Sequence, residues 1–358
     1  MKYRTEALLD AETASTAATK TIDVDLSQPI SRLVIEMKGT NNTSVPTAHP
    51  AKMISKVELV DGSDVLHSLS GMEEYALNYN TGNAPKYTEQ NFIDNNNSVA
   101  LMSVDFGRYL WDTNYALDPS KFRNLQLKIT HNKALGGSVP DAGTLSVFAD
   151  IFDDKQINPS GFIQSREHYG YSLTSSAVET IDLPTDYPLR NLTVQSLYTG
   201  NQPHQQYNKI KLIEDDGKKI PINDLRTSDL MKMLPNNDYI TETVRISNSD
   251  TAYTCYCTPT YDTKMVWAPI LGVDSGYMGL ASYGGTFTTD ASAATEGDLI
   301  VTGKGPNGAM LIPFGDQQDP SDWYDLANVK SLKMKVTAGS SVGGSSTAEI
   351  VTQQLRRY

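Results

Sequence analysis

Cys255 and Cys257, the two cysteines of the chain, flank Tyr256 and could supply half of a metal site. Side chains two residues apart lie on the same face of a β-strand, so both thiols can point toward one ligand. A closed zinc site needs four ligands, and the sequence offers no second Cys or Cys–His pair to complete it. We therefore interpret both cysteines as small, partly buried side chains, and the chain has no disulfide framework.

The histidines are a second group that could carry chemistry. They lie far apart and lack the His-x-His or His-Glu-x-x-His spacing of metal sites. A metal site would also require a carboxylate close to clustered imidazoles. We therefore predict ordinary surface histidines at these five positions: His49, His67, His131, His168 and His204.

A glycine pattern at 303–308 matches G-x-G-x-x-G, the phosphate-binding signature of dinucleotide enzymes. That signature requires a strand before it and a helix after it, because the helix N-terminus faces the pyrophosphate. Here Pro306 interrupts the pattern and the strand-like stretch 310–313 follows it. The sequence predicts a turn.

Two acidic clusters, 150–154 and 214–216, could bind a hard cation such as calcium at a subunit contact. They lack the fixed spacing of a dedicated calcium loop, so solvated turns explain them more simply. A carboxylate pair for glycoside hydrolysis is defined by a distance and not by a spacing. We predict no catalytic residue, no metal and no cofactor, and we expect that the chain is not an enzyme.

Charge and length narrow the class of protein. The net charge of -12 argues against a protein that wraps nucleic acid, which requires clustered Lys and Arg. We therefore expect no specific nucleic-acid binding. A length of 358 residues with 39% hydrophobic content predicts two ordinary globular domains. Asp10 and Glu12 interrupt the opening residues, which lack the apolar region of a secretory signal, so we expect synthesis in a cytoplasm.

The elements that carry these residues are mostly strands. Apolar and polar residues alternate with period two in segments such as 21–26, 56–60 and 125–129, as a sheet with one solvated face requires. Helical periodicity is brief. It predicts one short helix at Leu69–Tyr79 and another at Asn223–Leu234, which opens on cap-like residues.

Three blocks of sequence occur twice, in the same order. The first copies are 21–33, 55–61 and 106–130, and their echoes are 180–192, 208–214 and 314–337. The distance between a block and its echo increases sharply before the third block. This increase predicts an insertion in the second copy, around 239–310.

Each copy has about eight strand segments with one short helix in a connection. This pattern favours a jelly roll, whose long crossing connections can carry a helix, over an immunoglobulin-like sandwich. The sequence therefore predicts an all-β protein made of two tandem jelly-roll β-sandwiches, a double jelly roll with short helices in connecting loops. We predict the first jelly roll at 1–160 and the second at 161–358.

The paired openings 21–33 and 180–192, and the paired landmarks Phe106-Gly107 and Phe314-Gly315, carry a family resemblance. The chain resembles the double jelly-roll major capsid proteins of tailless icosahedral viruses, especially bacteriophages with an internal membrane. The resemblance implies a virion protein that forms homotrimeric, pseudo-hexameric capsomers in the capsid shell. It implies neighbouring capsomers, penton and minor capsid proteins, and an internal lipid membrane as partners.

Two groups of residues follow as candidate contacts. We predict that aromatic residues of the insertion form subunit contacts: Tyr253, Tyr256, Tyr261, Trp267, Tyr277 and Tyr283. Jelly-roll shells of the resembled family direct their termini toward the membrane. We therefore predict that Lys2 and Arg4 at one end, and Arg356 and Arg357 at the other, face anionic lipid headgroups.

Two alternatives to a capsid protein stay open. One is a carbohydrate-binding or glycan-hydrolysing tandem jelly-roll protein, which would use the tyrosine-rich insertion to contact sugars. The other is a spike or receptor-binding component of a virion, which would not need a duplicated sandwich.

Overall fold

The computed structural model of the chain describes residues 2–41, 46, 48–83, 90–93, 95–136, 142–248, 254–269, 284–288 and 295–358. Within these residues, the strands of the first half are β1 (Tyr3–Thr13), β2 (Ala18–Asp23), β3 (Ile30–Thr40), β4 (Ile54–Asp61), β5 (Asp64–Leu69), β6 (Gln90–Phe92), β7 (Asn97–Asp105), β8 (Leu125–His131) and β9 (Ala142–Phe152). The strands described in the second half are β10 (Gly161–Ser172), β11 (Val178–Leu183), β12 (Leu189–Gln195), β13 (Tyr207–Glu214), β14 (Lys219–Arg226), β15 (Ile240–Asn248), β16 (Thr254–Tyr256), β17 (Pro259–Pro269), β18 (Thr286–Thr288), β19 (Thr295–Pro306), β20 (Ala309–Pro313), β21 (Leu332–Ala338) and β22 (Thr347–Arg357).

Helical segments are short. The α-helices are α1 (Gly71–Asn80), α2 (Pro203–Gln206) and α3 (Thr227–Met233). Single 3-10 turns are Pro50–Met53, Pro119–Lys121, Lys133–Gly136 and Asp215–Gly217. No helix among the described residues is long and apolar enough to cross a membrane.

Alternation of apolar and polar residues explains the strands. In β3, Leu33, Ile35 and Met37 are fully buried while the residues between them are partly exposed. In β21, Leu332 and Met334 are buried in the same alternating pattern. Each strand therefore presents one apolar face to the interior of a sandwich.

The strand order identifies the sandwich type. The first half forms one sheet in the order β1-β9-β3-β7 and a second layer in the order β2-β8-β4-β5. The second half repeats this arrangement as β10-β22-β12-β20 and β11-β21-β13-β14. Each of the eight strands in the first set has a counterpart at the same place in the second set. The prediction of two jelly rolls is confirmed.

The two sandwiches share a sheet. β5, at the edge of the first jelly roll, pairs in parallel with β10 of the second, so that one layer from each forms a continuous eight-stranded sheet. Two large apolar cores lie within 14–162 and 181–350. Phe162 belongs to the first core although it lies beyond residue 160. The domain limits 1–160 and 161–358 stay a prediction.

The helix predictions had different outcomes. α1 lies where the sequence places it, and Ser70 and Glu73 form a capping box at its start. The helix expected from Asn223 is wrong in its first turn, because Asn223 and Asp224 belong to β14 and α3 begins only at Thr227. Asp224 has φ of 55°, at an irregularity in the pairing of β14 with β13. Asp is favoured at such irregularities as well as at helix caps, so its presence did not distinguish the two.

Candidate assembly surfaces

The insertion of the second jelly roll forms a sheet together with a strand of the first. Its order is β17-β19-β15-β6, and β6 lies in the connection between α1 and β7. β15 and β6 run parallel, with Val244 opposite Gln90 and Ile246 opposite Phe92. The corresponding connections of the two copies are therefore joined in one composite sheet.

A buried polar chain fastens this composite sheet to the first jelly roll. Thr258 donates its hydroxyl to Glu242 Oε2 at 2.6 Å, and its backbone N–H donates to Oε1 at 2.6 Å. His49 Nε2 lies 3.1 Å from the Thr258 hydroxyl, and Ala51 N–H donates to Nδ1 at 3.2 Å. Nδ1 therefore accepts and Nε2 donates, which is the neutral tautomer. Burial, with the nearby Lys52 charge, lowers the pKa of His49 to about 3.

The glycine pattern at 303–308 is predicted as a turn, but residues 303–306 are the last residues of β19 and only Asn307 and Gly308 form the turn to β20. Asn307 donates from Nδ2 to the Met72 carbonyl of α1 at 3.3 Å, across the junction of the jelly rolls. Gly308 has φ of +77°, and a Cβ there would lie 2.2 Å from the Ser196 carbonyl oxygen. A residue with a side chain cannot occupy this position without moving the backbone that directly follows β12.

A polar cavity of about 340 Å³ lies between the jelly rolls. Its lining includes Glu73 of α1 and Glu167 and Glu349 of the second jelly roll. Burial and then the charge of Glu167 raise the pKa of Glu73 to about 7. Burial also raises the pKa of Glu349. Lys56 pairs with Glu167 at 2.8 Å, so the charge of this carboxylate is partly compensated.

A second set of buried charges lies in the same junction. Burial and the Glu74 charge raise the pKa of Asp105 to about 7, and burial lowers the pKa of Arg190 to about 10. His67 Nε2 lies 2.6 Å from Glu74 Oε2. Ionisable groups with shifted pKa values therefore accumulate where the two jelly rolls meet.

The histidine prediction needs a correction. His49, His67 and His131 are buried, with exposed fractions of 3–6%. His49 is hydrogen-bonded to Thr258 of the insertion and His67 to Glu74 of α1, and the alternation of the sequence did not indicate this burial. Among the described residues, no group of three His, Cys, Asp or Glu side chains could hold a metal ion.

The cysteines lie in the small apolar core of the insertion. Cys255 of β16 and Cys257, which follows the end of that strand, are both buried. Burial raises the pKa of each thiol well above its ordinary value. Both thiols are therefore protonated and unreactive at neutral pH.

The predicted subunit-contact residues are distributed unevenly. Tyr256 is partly buried in β16, and Tyr261 is 7% exposed and packs in the core of the second jelly roll. Trp267 lies in β17, opposite Leu299 of β19. Tyr253, Tyr277 and Tyr283 lie outside the described residues. The assignment of these six residues to subunit contacts stays a prediction.

An exposed apolar pair on the composite sheet was missed by the sequence reasoning. Val266 of β17 is 62% exposed and lies opposite Ile300 of β19, which is 38% exposed. Their neighbours Met265 and Val301 point to the opposite, buried face. The sequence contained a signal for this pair, because Val266 follows Met265 and Ile300 precedes Val301. Of two adjacent apolar residues in a strand, one must face outward.

The two termini meet at the same end of the molecule. Asp153 N–H donates to the Lys2 carbonyl at 3.0 Å, and Tyr358 N–H donates to the Ser160 carbonyl at 3.3 Å. The segment 153–160 therefore lies between the first and the last strand. Lys2 and Arg357 are exposed.

The other two terminal cations have acidic partners. Arg4 pairs with Glu6 at 3.0 Å and with Asp153 at 3.4 Å. Arg356 pairs with Asp64. The positive charge available to an external partner is therefore concentrated on Lys2 and Arg357.

Strand register places the insertion at the opposite end. In β22, Arg357 lies opposite Gly161, while Glu349 lies opposite Gln195, which in turn pairs with Ala309 beside the insertion. Eight residues of strand separate Glu349 from Arg357, a distance of about 26 Å. The first jelly roll repeats this arrangement, since β6 also lies at the end away from the N-terminus.

No known family model and no curated protein matches the sequence. Solved structures match its fold over nearly the whole length. The major capsid protein P2 of bacteriophage PM2 is 11% identical with a TM-score of 0.56, covering 99% of this chain and 98% of its own. The STIV major capsid protein is 13% identical with a TM-score of 0.60, covering 100% and 98%. The PBCV-1 virus capsid is 10% identical with a TM-score of 0.56, covering 99% and 93%. The chain has the double jelly-roll fold of these proteins.

Proposed function

We propose that the chain is a viral major capsid protein, a building block without enzymatic activity that forms homotrimeric capsomers of an icosahedral shell. The observation that carries this proposal is the repetition of one eight-strand order in a single chain. The solved structures that share the fold over nearly their full length are themselves viral capsid proteins.

The repetition of the jelly roll would give a trimer of this chain pseudo-sixfold symmetry. A closed threefold trimer of this chain would present six similar sandwiches around its axis. Such a trimer fills a hexagonal position in a shell although it contains three chains. The partners of the protein would then be two further copies in the capsomer, neighbouring capsomers, and penton and minor capsid proteins.

The termini and the insertion lie at opposite ends of the molecule, which supports one orientation of the chain in the proposed shell. In the proposed shell, the end with Lys2 and Arg357 faces inward toward an internal lipid membrane, and the composite sheet faces outward or lies between subunits. The exposed pair of Val266 and Ile300 is a suitable contact for another copy, because exposed apolar side chains on a sheet favour association.

Electron microscopy of the purified full-length chain tests the proposal. We expect pseudo-hexagonal particles of three chains, or closed shells built from them. Discrete monomers at high protein concentration would overturn the capsid proposal and favour the carbohydrate-active alternative.

A further inference from the structure

An open pocket of about 590 Å³ lies at the base of the insertion. Five elements or connections contribute to its lining, which consists of Gln202, Lys232, Tyr239, Tyr261, Asp262 and Lys304. The volume is in the range of pockets that bind small molecules, which is about 300–1,000 Å³. The pocket belongs to the end of the molecule away from the termini.

The pocket is positively charged in a protein that is strongly negative overall. The ammonium groups of Lys264 and Lys304 lie 4.9 Å and 5.1 Å from the centre of the Tyr239 ring. Lys304 and Lys232 line the pocket, and Lys264 lies beside it against the Tyr239 ring. In the described part of the chain none of these three lysines has an acidic partner within 4 Å, whereas Lys20 and Lys56 each do.

The acidic group of the pocket is already engaged. Asp262 accepts a hydrogen bond from the Tyr239 hydroxyl. This bond raises the pKa of Tyr239 and fixes the exposed ring between the lysines. Three ammonium groups and one carboxylate leave an excess of positive charge, which an anionic ligand would neutralise.

The remaining lining offers aromatic and polar contacts. Tyr239 is 46% exposed, which leaves part of its ring open to a ligand. Tyr261 closes the floor, and the His204 ring packs edge-on against it at 5.7 Å. His204 Nδ1 is buried without a hydrogen-bond partner. Aromatic surface beside amide and hydroxyl groups suits a sugar ring, which presents both C–H faces and hydroxyl groups.

We propose that this pocket binds an anionic saccharide, a sugar unit that carries a carboxylate or a sulfate group. The ammonium groups of Lys264 and Lys304 hold the anionic group, and Tyr239, Tyr261 and Gln202 contact the ring and its hydroxyl groups. If the protein is a capsid protein, as proposed above, this pocket would attach the virion to a glycan on the host surface. Binding of the saccharide by the pocket does not depend on that proposed function.

Titration calorimetry on the full-length protein tests the site with defined probes. These are a heparin-derived tetrasaccharide, sialyllactose, neutral lactose and inorganic sulfate. We expect at least one anionic saccharide to bind, and lactose and inorganic sulfate to bind far more weakly. Sulfate binding as tightly as the saccharides would overturn the proposal, because an ion site would then account for the pocket.

Two charge-matched variants locate the binding. Lys264→Gln with Lys304→Gln removes the two charges beside the Tyr239 ring of the pocket, and Lys209→Gln with Lys218→Gln removes two exposed charges elsewhere. We expect the first variant to weaken saccharide binding by about tenfold or more, and the second to leave it unchanged. Equal weakening in both variants would show general charge attraction and would contradict the proposal. The single change Lys232→Gln, at an exposed side chain, provides a second pocket variant if the double variant does not fold.

The oligomeric state, measured on the same samples, separates this inference from the proposed function. Trimers that bind no anionic saccharide would contradict the inference alone, and monomers that bind one would contradict the capsid proposal alone. A third result would also contradict the inference. If the unmodified chain binds no saccharide and the Lys264→Gln, Lys304→Gln variant no longer forms trimers, the pocket binds an acidic side chain of a second copy instead.

Discussion

Ser68 of β5 lies opposite Arg166 of β10, and this parallel pair joins the edge of the first jelly roll to the second. The corresponding edge of the second jelly roll, β14, ends its sheet. The two copies therefore share an internal topology but differ in what their edges contact. The junction beside Ser68 holds the buried carboxyl groups, and the insertion end carries the composite sheet.

The junction should lose stability as the pH rises toward 7. The pKa of Glu73 is raised from 4.5 to about 7, so the folded chain holds a proton that the unfolded chain releases. The associated stability is complete below pH 4.5 and is lost as the pH rises through 7, by about 3 kcal/mol. Asp105, with its pKa also raised to about 7, acts in the same direction.

Glu73→Gln isolates this contribution, because the amide keeps the shape of the side chain without its charge. We expect urea unfolding at pH 5 and pH 8 to show a smaller loss of stability in the variant than in the unmodified chain. Glu58→Gln, at a partly exposed position of β4, is the control and should preserve the full loss. Identical pH dependence in all three proteins would contradict the buried-carboxyl account.

Thr258→Val should loosen the composite sheet. The change keeps the shape of the side chain but removes the hydroxyl that connects His49 to Glu242, so each of these two side chains loses a hydrogen bond in a buried site. We expect a loss of about 2 kcal/mol in the free energy of unfolding. The matched control is Thr241→Val, whose exposed hydroxyl pairs with Thr302 and should contribute about 0.5 kcal/mol or less. Equal effects of the two changes would show that the buried chain does not fasten the sheet.

Val266→Glu should prevent assembly without unfolding the monomer. Val266 is 62% exposed on the composite sheet, so a carboxylate there remains solvated in the isolated chain but becomes costly at an apolar subunit contact. Light scattering should report monomers. Val178→Glu, at a residue that is 55% exposed in β11, should leave trimers intact. Intact trimers of the Val266 variant would remove this sheet face from the proposed contact.

The termini should contribute to membrane attraction through two residues. Reversing the charge of Lys2 and Arg357 to Glu leaves the ion pairs of Arg4 and Arg356 in place. Each basic residue near an anionic surface contributes about 1 kcal/mol, so vesicles containing anionic lipid should bind assembled particles measurably less well. Lys218→Glu, an exposed change outside the termini, serves as the control. Unchanged vesicle binding by the terminal variant would exclude a membrane-facing role for both ends.

The sequence was sufficient for the fold because its main signals are local and repeated. Alternation located strands such as β3 and β21, and the paired blocks indicated one topology used twice. The start of α3 was missed because Asn223 and Asp224 suit a strand irregularity as well as a helix cap. Whether these two residues form a strand irregularity or a helix cap depends on the pairing of β14 with β13, which no local sequence pattern encodes.

The candidate surfaces were harder to predict, because they depend on contacts between distant positions. His49 and Thr258 are 209 residues apart, and no spacing rule connects them. Val266 and Ile300 resemble core residues in sequence, and only the register of β17 and β19 shows that both face outward. Tyr261 suggested a surface aromatic but lies largely buried. Burial is a property of the folded chain and cannot be assigned from residue type alone.

Single-particle cryo-electron microscopy of the purified chain tests the proposed capsomer most directly. We expect a closed threefold particle of three chains, with six sandwich-shaped densities in a hexagonal outline and the composite sheet at the end away from the termini. A stable monomer, or an oligomer whose symmetry does not place six sandwiches around one axis, would contradict it.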